Sequence, residues 1–228
     1  MKKYPLPAQC WKLDNMSEVN QIIATIPMKP LIHGKSRLSE AFTDQERGDL
    51  VIGMLTTVID AIVGAGVIEF VIVGGDDRVA AVGEGTGGKW VPDPGNDLNE
   101  SLKAVFGDIL QSGKSAMFLA GDLPFVKSAD VYNLIRTSGN QKNIALAPAR
   151  KDGGTNGILV PPGVPFEPQM GQRSFARHLA QAAGVEHSVS IYTSNGLGFD
   201  LDTTDDLVSY THMEPGLLER LYDQASVY

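Results

Sequence analysis

Three aspartates stand where carboxylates are chemically useful. Asp122 closes the run Met117–Val126, Met-Phe-Leu-Ala-Gly-Asp-Leu-Pro-Phe-Val, which is apolar and free of other charge. A run that short and apolar suits a strand buried on both faces. Asp122 then falls at the end of a parallel strand, the edge where open α/β sheets bind ligands. Far downstream, Gly198-Phe-Asp-Leu-Asp-Thr203 offers Asp200 and Asp202 two positions apart. In a strand these two would share a face, and like charges on one face call for a cation. Oxygen ligands of this kind favour Mg²⁺ or Mn²⁺ over zinc. Asp205 and Asp206 fall in an expected first helical turn, where negative charge is favoured anyway, and are left out of the site.

Cations are concentrated elsewhere. The loop Met28-Lys-Pro-Leu-Ile-His-Gly-Lys-Ser-Arg-Leu38 carries Lys29, Lys35 and Arg37 and no acidic residue. Such a loop directly after a strand suits a triphosphate, which needs cations and N–H groups around it. A solvated basic loop is the plainer alternative. Gly34-Lys35-Ser36 is not a P-loop, because the required first glycine would fall at Lys29. Gly83-Glu-Gly-Thr-Gly-Gly88 matches a dinucleotide fingerprint by letter but precedes a strand, so it is rejected. Two further segments suit a smaller anion. Arg150-Lys-Asp-Gly-Gly-Thr-Asn-Gly157 pairs glycines with the Thr155 hydroxyl, and Met170-Gly-Gln-Arg-Ser-Phe-Ala-Arg-His178 sets Gly171 and Ser174 at a helix start. A turn and an N-cap would explain either segment taken alone. The four histidines show no metal spacing, and no Gly-x-Ser-x-Gly elbow is present. If a substrate phosphate oxygen is the nucleophile, it is already ionised and needs no general base, only positioning and charge neutralisation.

The elements that must position these residues follow from periodicity. Strands are expected at Gln21–Ile26 (stopped by Pro27), Phe70–Val73, Lys89–Val91, Met117 onward, Asn143–Pro148, Gly157–Val160 and Ser188–Tyr192. Thr43 and Glu46 have capping-box spacing, and a long apolar face runs from Leu50 to Val63 before Gly64 and Gly66. Further helices are expected at Asp77–Val82, Leu98–Leu110, after Ser128 as cap, Ser174–Ala183, after Thr203 or Thr204, and near Leu217–Asp223. This alternation predicts an α/β domain with a mainly parallel central sheet flanked by helices. The loops Ala149–Asn156 and Pro161–Pro168 read as an inserted substrate-binding lobe. Residues 1–20 read as an irregular leader before a single domain over 21–228.

Composition bounds the function class. With 43% hydrophobic and 20% charged residues the chain has material for a core. A formal charge of −8 argues against nucleic acid as a general partner. One cysteine excludes a disulfide framework and fits a reducing cytoplasm. No stretch has the length of a membrane span or of a signal-peptide core, so no membrane association is expected. A homodimer is compatible with the sequence, which does not choose an oligomeric state.

The motifs, taken together and in order, resemble the guanylyltransferases of coenzyme F420 biosynthesis. The resemblance covers about Ile22 to Leu207 and rests on Lys29-Pro, Gly34-Lys-Ser-Arg-Leu38, Asp97-Leu-Asn99, Gly121-Asp-Leu-Pro124, Gly153-Gly-Thr-Asn156, Gly171-Gln-Arg-Ser-Phe-Ala-Arg-His178 and Asp200-Leu-Asp-Thr203. It implies a GT-A-like nucleotidyltransferase fold that joins GMP from GTP to phosphoenolpyruvate, 2-phospho-L-lactate or 3-phosphoglycerate. By the same resemblance Thr155, Gly171 and Ser174 contact the acid, and Asp122, Asp200 and Asp202 bind Mg²⁺. Lys29, Lys35 and Arg37 are then expected on the triphosphate, with Asp97 and Asn99 near the nucleoside. The alternatives are another GT-A-type enzyme, such as a molybdenum-cofactor guanylyltransferase or a sugar-nucleotide enzyme, and a non-catalytic GTP-binding protein of the same fold.

Overall fold

Every residue of the central strand β4 (Ser115–Leu119) is buried, as an apolar run flanked on both faces requires. The computed structural model that shows this describes residues 21–93 and 97–228. The leader expected at 1–20 and part of the turn expected at Pro92–Gly95 lie outside the described residues. Beside β4 runs β1 (Ile22–Met28), parallel to it in the register Ile22↔Ser115 to Thr25↔Phe118. β2 (Glu69–Gly74) pairs with the other side of β1, and β3 (Lys89–Val91) with β2, both parallel. β5 (Ile144–Pro148) and β6 (Thr155–Val160) form an antiparallel pair, and β6 also lies antiparallel against β4. β7 (Val189–Ile191) returns parallel to β5. The seven strands make one sheet in the order β3-β2-β1-β4-β6-β5-β7.

That order locates the ligand edge. From β1 the chain winds outward through β2 and β3, then comes back to β4 on the other side of β1. The crevice outside the carboxyl ends of β1 and β4 is therefore the topological switch point, where doubly wound sheets bind ligands. Because β6 runs against β4, its beginning, Thr155-Asn156, lies at that same edge: Gly157 stands opposite Leu119, and the Ala120 N–H donates to the Asn156 carbonyl at 3.0 Å.

The helices close the faces. α1 (Asp44–Gly64) carries the expected capping box, with the Glu46 N–H donating to the Thr43 hydroxyl at 3.3 Å and the Thr43 N–H to the Glu46 carboxylate at 2.8 Å. It is buried on most of its surface, sheet on one side and α8 (Leu217–Ala225) on the other. Gly53 permits that second contact, since a Cβ there would stand 2.2 Å from the Leu221 carbonyl oxygen. The remaining helices are α2 (Asp77–Gly85), α3 (Leu98–Gln111), α4 (Ser128–Thr137), α5 (Ser174–Gly184), the single turn α6 (Asn195–Gly198) and α7 (Thr204–Met213). None of the helices in the described residues is long and apolar enough to cross a membrane.

Several expectations change in detail. β1 does not stop at Pro27 but continues to Met28, with Pro27 opposite Val73. Pairing of β1 with β4 ends at Thr25, so the proline's missing donor costs no bond on that side. Ser128 is the first residue of α4, not its cap. Lys127 holds that position, its N–H donating to Asp130 at 2.9 Å. The segments at 149–154 and 161–173 join β6 to β5 and to α5, and of the two loops read as an inserted lobe only Thr155 and Asn156 lie in a strand, at the start of β6. Asp200 and Asp202 stand in no strand but in the link between α6 and α7. That link is nonetheless tied to the sheet edge, because the Leu201 N–H donates to the Asp122 carbonyl at 3.2 Å while the Leu201 side chain is buried.

Candidate active site

The cationic loop and the acidic segments meet at the switch point. After β1 the chain makes two short 3₁₀ turns, Leu31–His33 and Ser36–Leu38, and the first is pinned to the cap of α2 by the Leu31 N–H on the Asp76 carboxylate at 2.8 Å. Lys35, between the turns, sits in the left-handed region (φ 48°, ψ 40°), which costs a residue with a side chain about 1 kcal/mol or more. Two ion pairs offset that cost. Lys35 Nζ lies 2.5 Å from Asp122 and 2.7 Å from Asp202, residues 87 and 167 positions away.

The charges of this cluster shape one another. Burial alone would depress the Lys35 pKa, but Asp122 and Asp202 outweigh it and hold the ammonium above its ordinary value. Asp202 is subject to the same contest with the opposite sign: burial raises it, yet Lys35 and, further off, Arg37 keep it below the usual carboxylate range. Asp200 has no such cation. Burial first, then the charges of Asp122 and Asp202, push it up to about 6. Its backbone carbonyl accepts the Tyr210 hydroxyl at 3.0 Å, and the Asn156 amide reaches its carboxylate at 3.4 Å. The three carboxylates are not a ready metal cage, and no trio of His, Cys, Asp or Glu among the described residues is. Their chemistry still fits a hard divalent cation, because oxygen donors are crowded until one of them is driven towards its neutral form.

A cavity of about 450 Å³ opens over this cluster, of a size for a nucleotide's polyphosphate and a small acid. Its lining includes Lys29, His33, Lys35, Arg37, Gly121, Asp122, Met170 and Asp202. Lys29 and Arg37 are exposed, whereas the Lys35 side chain is only 9% accessible and spent on its two carboxylates.

Met170 belongs to the segment leading into α5, which is stapled from several directions. Its N–H donates to Asn99 Oδ1 at 2.7 Å, and Arg177 donates to the carbonyls of Gln169 and Met170, both at 2.9 Å. The Ser174 N–H closes on the Gly171 carbonyl at 3.1 Å, with Gly171 at φ 107°, and the Phe175 N–H reaches the Gly153 carbonyl at 3.1 Å. Thr155 and Ser174 thus come together, Ser174 Oγ donating to Thr155 Oγ1 at 3.2 Å, both buried behind Met170. The two acid-binding segments expected from the sequence are one unit. Asn99, expected near the nucleoside, reaches across to this unit through its Oδ1. Asp97 is the N-cap of α3, its side chain accepting the Asn99 N–H at 2.9 Å.

The chain aligns with a family model described as guanylyl transferase CofC like over residues 22–214. The chain belongs to that family. A phosphoenolpyruvate guanylyltransferase of Sphaerobacter thermophilus is 35% identical over 187 residues, covering 81% of this chain and 90% of that protein. A 3-phospho-D-glycerate guanylyltransferase of Phenylobacterium zucineum is 33% identical, covering 81% and 87%. A 2-phospho-L-lactate guanylyltransferase of Methanothermobacter thermautotrophicus is 30% identical, covering 81% of each. Among solved structures, a nucleotide-diphospho-sugar transferase from Desulfovibrio desulfuricans superposes with TM-score 0.71 at 17% identity, covering 90% of this chain and 94% of that one, which bears on fold alone. This family member is accordingly a nucleotidyltransferase, and it shares the fold of that solved structure.

Three residues to which the sequence assigns no positioning role turn out to have one. Asp206, set aside as a helix-start acid, is 1% exposed and accepts the N–H groups of Asp202 (3.1 Å) and Thr203 (2.9 Å), with the Lys151 ammonium against its other oxygen. It therefore sets the backbone that presents Asp202. Tyr210, one turn on, holds Asp200, and burial followed by the three aspartates pushes its phenol up to about 12, so it stays a donor.

The third is His178, fully buried on α5 against Phe166, ring centroids 5.6 Å apart. Burial first, and the neighbouring Arg177 second, lower its pKa to about 4. An unfolded chain protonates this ring below about pH 6.5, whereas the fold refuses the proton until about pH 4. The depressed folded value means that stability falls as pH is lowered through that window, by at most about 3 kcal/mol. Thermal unfolding of the parent and H178F at pH 7 and pH 4.5 checks this: the parent loses more stability on acidification than the variant, and equal losses would refute it.

Proposed function

We propose that this protein transfers GMP from GTP to the phosphate of a three-carbon phosphorylated acid, with release of pyrophosphate. The observation that carries the reading is the convergence of Lys35, Asp122 and Asp202 at the switch-point cavity, which Met170 of the stapled segment also lines. Family membership supports the guanylyl group, and the relatives' names supply the acceptor class: phosphoenolpyruvate, 2-phospho-L-lactate or 3-phosphoglycerate.

In this reading Lys29 and Arg37, exposed on the cavity rim, bind the triphosphate. Lys35 keeps Asp122 and Asp202 from repelling one another and adds positive charge beneath the phosphates. Asp122, Asp200 and Asp202 would hold Mg²⁺, which supplies charge neutralisation at the α-phosphate and the leaving pyrophosphate. Thr155, Gly171 and Ser174 fix the acid, so that a phosphate oxygen is aligned for in-line attack. That oxygen is ionised at neutral pH, so this reading asks no side chain to act as general base.

The test is purified protein with GTP and MgCl₂, challenged separately with the three acids and followed by pyrophosphate release and by mass of the product. One acid should release pyrophosphate stoichiometrically with a guanylylated adduct, and excess EDTA should return the rate to background. Release of pyrophosphate at the same rate with and without every acid would overturn the reading.

A further inference from the structure

His178 makes a hydrogen bond at each ring nitrogen. The Gln169 backbone N–H donates to Nε2 at 2.9 Å, and an N–H cannot accept, so Nε2 carries no proton. The proton of the neutral ring is then on Nδ1, which lies 2.9 Å from Thr155 Oγ1 and donates to it. Thr155 Oγ1 also accepts from Ser174 Oγ at 3.2 Å. Its acceptor capacity is filled from two sides, and its one remaining hydrogen is left to donate. A hydroxyl set in this way suits an anion and disfavours a donor.

We propose that His178 is the positioning residue of the acceptor subsite: through one ring it orients the Thr155 hydroxyl as a donor to the phosphorylated acid and anchors the Gln169–Gly171 segment. The inference rests on the proposed function and assigns a role within it. His178 touches neither substrate; it acts through Thr155 and through the backbone beside Gly171. Its ring is fully buried, Phe166 packs on it, and Arg177 from the same helix ties down the carbonyls of Gln169 and Met170. A purely packing role would need none of these polar contacts. A ring held at both nitrogens in one tautomer is what a fixed donor direction requires.

The experiment compares parent, H178F, which keeps the ring volume without the bonds, and H178N, whose amide restores a donor towards Thr155. Acid binding is measured by titration calorimetry with phosphoenolpyruvate, 2-phospho-L-lactate and 3-phosphoglycerate, alongside steady-state KM for the acid and for GTP. Thermal unfolding identifies which variants are folded. The expected result is at least a tenfold weaker Kd and higher KM for the acid in H178F, a KM for GTP within twofold of the parent, and partial recovery in H178N. Should H178F fail to fold, H178L, which likewise lacks both bonds, carries the same comparison against H178N. A folded H178F or H178L with unchanged acid affinity, or with KM for acid and GTP rising in parallel, would overturn the assignment. A parent that binds an acid without pyrophosphate release would sink the transferase reading and leave the calorimetric arm to decide the role of His178. A parent that binds none of the three acids would end both.

Discussion

Replacing Asp122 by asparagine lowers the rate of pyrophosphate release by roughly a thousandfold and leaves the fold standing. The size follows from removing a charged group from the reacting centre, where one well-placed polar partner is worth about 10²–10³ in rate. The fold survives for specific reasons. The Asp122 carbonyl, which accepts the Leu201 N–H, is untouched by the change. Lys35 keeps its second carboxylate at 2.7 Å, and the asparagine oxygen can still accept from it. Loss of one negative charge also relieves Asp200, so its pKa falls from about 6 towards the ordinary range. Unfolding midpoints and stopped-time pyrophosphate assays on parent and D122N make the check. A variant with near-parental turnover would remove Asp122 from the chemistry altogether.

The opposite charge gives the opposite pattern: Lys35→Met is expected to cost both activity and stability. Without the ammonium, Asp122, Asp200 and Asp202 face one another uncompensated. Asp122 and Asp202 retain 30% and 41% side-chain exposure, so the expected loss at pH 7 is about 2 kcal/mol, less than for a fully buried pair. The sign with pH is fixed by linkage. The Lys35 pKa is raised in the fold, so its contribution is complete below 10.5 and lost as pH rises through the higher folded value. Asp200, already raised to about 6, is the carboxyl that takes up a proton first as pH falls, and a raised carboxyl stabilises the fold on acidification, so the variant regains stability as pH falls towards 5. Denaturant unfolding of parent and variant at pH 5, 7 and 11 follows these trends. A constant difference across that range would show that Lys35 acts by packing and not by charge.

Much of the site was readable from residue order, because its parts are marked by local rules. An uncharged run ending in Asp122 is what a buried strand with a functional tip must look like, and β4 has that form. The pair Asp200 and Asp202 was legible from spacing, although the segment is an extended link and not a strand. The basic loop after β1 stood out by charge. What stayed hidden depends on contacts between residues far apart in the chain. Lys35 reads as a free cation for phosphate because no Asp or Glu stands between Gln21 and Ser39; its partners come from 87 and 167 residues away. Asp206 satisfied a local rule as the fourth residue of a capping box, and that rule masked its hold on Asp202. His178 carried no metal spacing, and its two bonds depend on a strand and a loop that only the fold brings to it. Asn99 is the same case, since a helix-start amide gives no local sign of reaching Met170.

The distance between Lys35 and Asp202 along the polypeptide also governs when the centre can exist. A ribosome has made β1, β2, β4 and the basic loop well before it reaches Gly198, so a nascent chain carries the ammonium and Asp122 without their third member. Contacts of such long sequence separation form late and slowly. The crevice stays incomplete until the stretch around Asp202 has docked through Leu201 and Asp206 and supplied the third member of the centre.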